Sequence, residues 1–229
     1  MAAAAGHGIV GAMISVVIPT HNSQGALPRC FDSLIGATLR GLVKEVVVAD
    51  GGSSDDTLTI ADAAGCHVAR GGRSRGSQLQ AGAAAARGDW LLFLLPQTAL
   101  EAGWETEAES FMAGVTLERP RAATFRFALD DFTGAARRRE AMVALRSGLF
   151  ALPYAEQGLL ISRRLHRKLG GHRDVAMEDA DLVRRIGRAR LVRLRSRAIN
   201  KPEQSERRGV LIAMLHALRV PASVVARIG

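Results

Sequence analysis

A chain of 229 residues that is 48% hydrophobic and 23% charged, with 24 Gly and only 7 Pro, has a globular composition, which excludes a disordered or collagen-like protein. Its longest apolar runs, Trp90 to Leu95 and Val210 to Leu218, fall far short of the ~18 residues that a membrane-spanning helix needs. The net charge of +9 is uneven: residues 1–114 hold 7 basic and 11 acidic side chains, net −4, and the remainder carries net +13, nearly all of it as Arg.

In chain order, Ile14 to Pro19 and Lys44 to Ala49 are β-branched runs that end in polar turns, and each precedes a helical pattern. Leu27 to Leu39 places Leu27, Phe31, Leu34 and Ile35 at helical spacing, and Ser54-Asp-Asp-Thr57 supplies capping residues for a helix to about Ala64. His67 to Arg70 reads as a third strand and Ser77 to Ala86 as an Ala-rich helix. Trp90 to Leu95 has the unbroken apolar character of a strand covered on both faces. This β-α-β-α-β-α-β order predicts a layered, largely parallel sheet with helices on both sides. Beyond Ala99 the pattern becomes mixed. Helices are expected at Glu101 to Ala113, Thr133 to Arg146, Arg163 to Leu169 and Glu178 to Gly187, and strands at Ala122 to Leu129, Gln157 to Ile161 and Leu191 to Arg195. A basic amphipathic tail follows. No repeat or linker divides the chain, so residues 1–229 are read as one domain with halves at about 13–113 and 114–229.

Cys30 and Cys66 are the only cysteines, without a CxxC pair or a His cluster at zinc spacing, so they read as core thiols. No positive n-region of a signal peptide opens the chain, so a cytoplasmic location is expected. In open α/β sheets ligands bind beyond the carboxyl ends of the strands. The turn Pro19-Thr-His-Asn22 is not GxGxxG, which argues against a dinucleotide site. Asp50-Gly-Gly-Ser-Ser-Asp-Asp56 puts a carboxylate at a strand end, followed by glycines that let a ligand approach the backbone. Gly72-Arg-Ser-Arg-Gly76 satisfies GxSxG, and Ser74, Asp179 and His216 follow hydrolase order, but the preceding strand is weak and no oxyanion segment is present. Nucleic-acid motifs are missing, and 4% aromatic residues leave little surface for base stacking.

Four segments in sequence carry a resemblance: Ile14-Ser-Val-Val-Ile-Pro-Thr-His-Asn22, Val46-Val-Val-Ala-Asp-Gly-Gly-Ser-Ser-Asp-Asp-Thr57, Gly72-Arg-Ser-Arg-Gly-Ser-Gln-Leu-Gln-Ala-Gly82 with Ala86-Arg-Gly-Asp89, and Met177-Glu-Asp-Ala-Asp-Leu182. Together they resemble the family 2 glycosyltransferases from about residue 13 to residue 217. Pro153-Tyr-Ala-Glu-Gln-Gly158 and Glu206-Arg-Arg-Gly-Val210 are most similar to the small bacterial branch of selenodomain-associated transferases. The resemblance implies a GT-A fold, that is, a three-layer α/β/α sandwich with a mostly parallel central sheet. It also implies a UDP- or GDP-sugar donor and inverting transfer by single displacement. Pro19, Thr20, Asn22 and Gly51 would then line the donor pocket, Asp50 would hold the nucleobase or ribose, and Arg73 and Gln78 would sit near the diphosphate. Asp179 would be the catalytic base, taking a proton from the attacking hydroxyl. Glu156, Gln157, Glu178, Asp181 and Arg207 would lie on the acceptor side.

One departure stands out. The family carries a metal-binding Asp after the fourth strand, in this branch within His-Ala-Asp-Thr, whereas this chain reads Leu95-Pro-Gln-Thr98. Gln97 therefore replaces a carboxylate with a neutral amide, a poor ligand for Mg²⁺ or Mn²⁺. Two expectations follow: a metal-independent enzyme that uses Arg73, Arg75 or Arg126 to stabilise charge, or a nucleotide-sugar binder without turnover. The expected acceptor is a saccharide, a lipid-linked molecule or a small molecule. Glu206 to Ile228 mixes Arg with Leu and Val as a core-packed helix does, and also as a helix touching the anionic inner face of a membrane does. His166 and His172 read as surface or loop residues.

Overall fold

The computed structural model describes residues 13–131, 133, 134, 137, 138, 140–143 and 155–201. Eight strands, β1 (Ile14–Thr20), β2 (Val43–Asp50), β3 (His67–Arg70), β4 (Trp90–Phe93), β5 (Thr98–Leu100), β6 (Ala122–Leu129), β7 (Leu159–Ser162) and β8 (Leu191–Asn200), form one sheet. Their order is β3-β2-β1-β4-β7-β6-β8-β5. β3-β2-β1-β4 and the β6-β8 pair are parallel, while β7 runs against β4 and β6, and β5 against β8. β1 and β4 are buried along their whole length, as their unbroken apolar sequences require.

Helices α1 (Leu27–Asp32), α2 (Ile35–Leu39) and α5 (Trp104–Ala113) cover one face, where Leu27, Trp104 and Met112 pack on Ile18, Leu92 and Phe125. Helices α4 (Arg75–Ala85), α6 (Arg163–Lys168) and α7 (Glu178–Ile186) cover the other, with Leu79, Leu165 and Leu182 against Val17, Leu91 and Ile161. Helix α3 (Thr57–Ala63) follows β2. The result is a three-layer α/β/α arrangement. α4 lies close on β1 because Gly82 faces Val17 and Ala49, and a Cβ there would collide with the Val17 side chain. Among the described residues no helix is long and apolar enough to cross a membrane.

The elements depart from expectation where partners are distant. Leu27 to Leu39 is two helices, because the Ser33 hydroxyl donates to the Cys30 carbonyl at 2.7 Å and the Leu34 N–H turns to Phe31. β5 was not expected, and β8 continues past Arg195 to Asn200, since both are made by pairing with each other. Thr57 heads α3, but the side chain that receives its N–H is Asp55, at 3.0 Å. Of the helix expected over Thr133 to Arg146, residues 134, 137, 138 and 140–143 are helical, and the rest lies outside the described residues, as does the tail from 202 onward. Cys30 is buried, and desolvation pushes its thiol up to about 12; Cys66 is half-buried, and its thiol is pushed up to about 11.

Candidate active site

The C-terminal ends of β1 and β2 lie side by side, with Thr20 opposite Asp50. Asp50 is almost fully buried and receives four hydrogen bonds: Thr20 and Ser53 hydroxyls on Oδ1, Gly52 and Ser53 N–H on Oδ2. Burial works to raise its pKa, but the Ser53 hydroxyl and amide, with Gly52 and Thr20, outweigh it and hold the carboxyl below its ordinary value. The four acceptor positions of the carboxylate are thus filled from within the chain. Asn22 takes a left-handed conformation (φ 52°), which Asn tolerates better than most residues. Its N–H donates to Ser53 Oγ at 2.9 Å, and its Oδ1 accepts from Ser54 N–H at 2.9 Å. Ser23 N–H reaches Thr57 Oγ1, Gln24 N–H reaches Asp55, and Asp56 N–H returns to Gln24 Oε1. Loops 20–24 and 50–57 are therefore cross-bonded into one unit.

A third loop closes this end. Gly71 N–H donates to the Asp50 carbonyl, and Gln78, nearly buried on α4, reaches the Arg73 carbonyl at 3.4 Å. A Cβ on Gly51 would displace the Gln78 amide, and one on Gly71 would collide with the Gln78 Cα, so α4 approaches this loop over Gly71. Arg73 is exposed. Ser74, the GxSxG serine, caps α4: its Oγ accepts the Ser77 N–H at 3.1 Å and is 2.8 Å from the Ser77 hydroxyl. His216 lies outside the described residues.

On the far side of α4 stands a carboxylate cluster. α7 begins at Met177, held in the left-handed region (φ 62°), a conformation costing about 1–3 kcal/mol that sets Glu178 and Asp179 at the helix start. Arg75 Nε donates to Glu178 Oε1, and Arg75 Nη2 lies 3.4 Å from Asp179 Oδ2. Behind Asp179, two buried imidazoles form a chain: His172 Nε2 is 3.7 Å from Asp179 Oδ1, and His172 Nδ1 is 3.2 Å from His166 Nε2. Phe93 packs on both rings, 4.4 Å from His172 and 5.2 Å from His166 between centroids. His172 lies in the loop after α6 and His166 on α6 itself, and the expectation of a surface position is corrected, since they are 0% and 5% exposed. Gly170 and Gly171, both at positive φ, turn the chain back so that residues six apart meet. That Gly-Gly pair is the one sequence signal that could have located them.

The two carboxyls of this cluster are driven apart. Burial raises Asp179, but His172 and Arg75 together hold it below its ordinary value. For Glu178, burial and then the Asp179 charge push it up, against the pull of Arg75. Asp179 is therefore the more acidic of the pair, and it borders a cavity of about 20 Å³, room for one water, shared with Pro19 from β1, Phe93 from β4 and Thr124 from β6. His166 and His172 are the members of the cluster that the candidate residues from sequence left out, while Arg75, expected to stabilise charge, is found on the two carboxylates.

The other candidates are spread around this point. Asp181 is one turn along α7 and is held by Arg185 at 2.6 Å, a helix-surface pair away from Arg75. Glu156 and Gln157 form a turn before β7. Gln157 is buried with its amide on the Phe125 carbonyl, and Asn200 of β8 donates to the Glu156 carbonyl at 2.9 Å. Gln97 is half-buried on the loop into β5, beside Thr98, whose hydroxyl donates to Asn200 Oδ1 at 2.6 Å. Among the described residues no group of three His, Cys, Asp or Glu is placed to hold a metal ion, and Gln97 offers a neutral amide where a hard cation such as Mg²⁺ or Mn²⁺ favours a carboxylate. Arg207 lies outside the described residues.

Comparison with known proteins follows the same geography. Residues 15–94, from β1 to the end of β4, match the family model described as glycosyl transferase family 2. This stretch is similar to family 2 glycosyltransferases. Two PGL/p-HBAD biosynthesis glycosyltransferases, from Mycobacterium bovis (strain BCG / Pasteur 1173P2) and Mycobacterium tuberculosis (strain ATCC 25177 / H37Ra), are each 46% identical over 50 residues. That match spans 22% of this chain and only 19% of the length of these curated relatives. Among solved structures, glucosyl-3-phosphoglycerate synthase from M. tuberculosis in complex with Mn²⁺, UDP and glucosyl-3-phosphoglycerate superposes with a TM-score of 0.67 at 21% identity, covering 93% of this chain and 82% of that one. The same enzyme with Mn²⁺ and UDP-glucose gives 0.65 at 21% identity, over 93% and 81%. The fold is the GT-A fold of glycosyltransferases, with a mixed sheet that is parallel on the family 2 side.

Proposed function

We propose that this chain is an inverting glycosyltransferase, moving a sugar from a nucleotide diphosphate donor, UDP-linked by analogy with its structural neighbours, onto an acceptor hydroxyl. The observation that carries the reading is the position of Asp179, an anion bordering a cavity whose walls come from the family 2 strand β1 and from β6 of the other half. The acceptor hydroxyl gives its proton to the Asp179 carboxylate while its oxygen attacks the anomeric carbon. The bond from that carbon to the diphosphate breaks, and the nucleoside diphosphate leaves with the electron pair. Loops 20–24 and 50–57 and Gln78 shape the donor end, Asp50 acting as the hub that fixes Thr20 and the 51–53 turn. The exposed Arg73 meets the charge developing on the leaving group.

No step is routed through a metal, because Gln97 supplies an amide and no carboxylate. Turnover is expected to persist in EDTA; its loss, with rescue by Mn²⁺, would overturn this part of the reading. Titration of the full chain with UDP-glucose and GDP-mannose, followed by assay of released UDP or GDP, tests the whole. One donor is expected to bind, and Asp179→Asn should keep that binding while lowering turnover ~10²–10⁴-fold. Failure of every nucleotide to bind overturns the proposal. Gln97 favours a second reading, a nucleotide-sugar binder without turnover, which predicts binding with no release under any acceptor. The chain acts in the cytoplasm on a saccharide, lipid-linked or small-molecule acceptor, and the net +13 of its second half supports work beside an anionic inner membrane face.

A further inference from the structure

Next to the Asp179 cavity lies a much larger one, of about 620 Å³, lined by Arg126, Arg137, Arg193 and Arg195 with Glu140 and Gln157. Strand alternation creates it. Phe125 on β6 turns into the core against Trp104, so Thr124 and Arg126 face the opposite way. On β8, Leu194 and Ala198 enter the same core, which leaves Arg193 and Arg195 on the face of Arg126. The register slips between Thr124, opposite Arg193, and Arg126, opposite Arg197, so β8 carries extra residues there. Glu107 of α5 fixes this bulge by accepting the N–H groups of Arg195 and Ser196 at 2.7 and 2.8 Å. Bulges re-aim side chains, and this one turns two guanidiniums into the cavity mouth.

The charge in this cavity is unbalanced. Several arginines elsewhere in the molecule are paired: Arg29 with Asp130, Arg40 with Glu109, Arg87 with Glu45, Arg185 with Asp181, Arg197 with Glu101. Among the described residues, none of Arg126, Arg137, Arg193 and Arg195 has a carboxylate in ion-pair contact. Glu140, the acidic residue of the lining, has Oε1 on the Leu129 N–H at 2.7 Å. Four guanidiniums around one lining carboxylate repel one another, although Arg126 and Arg195 also act on Glu101 and Glu107, and an anion placed among them lowers that cost. The guanidinium fork suits phosphate or carboxylate oxygens in bidentate pairs. The volume lies in the ~300–1,000 Å³ range of small-molecule sites.

We propose that this cavity is the acceptor subsite and that it takes an acceptor bearing a phosphate group, held by Arg126, Arg193 and Arg195 with its hydroxyl directed to Asp179. The inference rests on the transferase reading above. Thr124, on the wall of the Asp179 cavity, and Arg126, on the wall of this one, are two residues apart on one face of β6, about 7 Å. Ala155 and Gly158 of the turn before β7 line the first cavity, and Gln157 of the same turn lines the second. A compact phosphorylated alcohol spans that separation. The phosphate comes either from a free small molecule or from a lipid headgroup.

The test uses the full chain with saturating UDP present, so that the donor end is blocked, and two probes. These are glycerol phosphate, followed by calorimetry, and vesicles of phosphatidylcholine with one-fifth phosphatidic acid, followed by sedimentation. Saturable glycerol phosphate binding that weakens about tenfold or more in Arg126→Ala/Arg193→Ala, but not in the remote Arg119→Ala, supports the proposal with a soluble source. Vesicle binding alone, lost in the same double variant and kept in Arg119→Ala, supports it with a lipid source. If the wild type binds neither probe, or the double variant binds as the wild type does, the proposal fails. Arg126→Gln/Arg193→Gln, checked by circular dichroism, repeats the test should the alanine pair misfold. UDP affinity, measured in every sample, reports the transferase reading separately: its absence sinks that reading while the arginine variants still locate any phosphate bound.

Discussion

Removing the Arg75 guanidinium takes away the one cation, among the described residues, in contact with both Glu178 and Asp179. Breaking a fully buried pair costs about 3–5 kcal/mol; because the Arg75 side chain is 44% exposed, Arg75→Ala should cost less, about 1–3 kcal/mol in chemical denaturation. Asp179 loses one of the three groups, with His172 and Glu178, that lower its pKa, so the acid limb of the pH–rate profile should move to higher pH; an unmoved limb would show that Arg75 does not govern the base. His166 titrates in the other direction. Burial, then the charges of His172, Arg185 and Arg167, push it down to about 3 from an ordinary 6.5. Between those values the unfolded chain binds a proton that the native chain refuses, so acidification below about 6.5 destabilises the fold. Asp50 and Glu45, whose carboxyls sit low in the fold, act in the same direction and remain in a variant. The difference between wild type and His166→Phe therefore isolates the histidine: the variant should lose less melting temperature between pH 6.5 and 4, and parallel curves would refute the assignment. Asp50 and Asp179 were legible in the sequence because family motifs mark them. The pairing of Arg75 with these carboxylates and the histidines behind Asp179 were not, because Arg75 lies 103 residues from Glu178 and a single His in a loop has no periodicity to betray its burial.

At the level of elements, α4 is the piece that joins the donor loops to the carboxylate cluster, and its seating on β1 depends on Gly82. Gly82→Ala sets two effects against each other. Alanine gains up to about 1 kcal/mol in helix propensity, while a methyl forced into the Val17 side chain costs about 1–3 kcal/mol. Overpacking should win, giving a lower melting temperature together with weaker UDP binding; a stabilised variant would mean that α4 can lift without consequence. Elements whose apolar character is continuous, β1, β2, β4 and the amphipathic α7, are readable from residue order alone. β5 and the end of β8 are not, because their residues are strands only through each other, about a hundred positions apart. The break after α1 is hidden in the same way, since one serine hydroxyl diverts a helical pattern that hydrophobic spacing alone continues.

Across the whole molecule, charge divides as the fold does. The family 2 side is acidic overall, and the side that carries β6, β7 and β8 is strongly basic. If that basic side rests on an anionic membrane, the chain should sediment with phosphatidylglycerol vesicles at low ionic strength and leave them as salt shortens the Debye length below ~10 Å. Protein that stays in the supernatant at low salt removes the membrane from the proposal and leaves the transfer reaction untouched. The sequence showed this asymmetry plainly, but not that four of its arginines meet at one bulge, which is a property of strand register.

The cross-bonding of loops 20–24 and 50–57 bears on how such a protein can change over generations. Each loop supplies side-chain acceptors for the backbone of the other: Ser53, Asp55 and Thr57 receive N–H groups from 22–24, while Asn22 and Gln24 receive those of 54 and 56. Drift at one of these positions strands a donor on the opposite loop, so tolerated substitutions should arrive in matched pairs. A chimera that imports one loop from a homologue without its mate inherits half of a lock, and only the two exchanged together carry a new nucleotide preference intact.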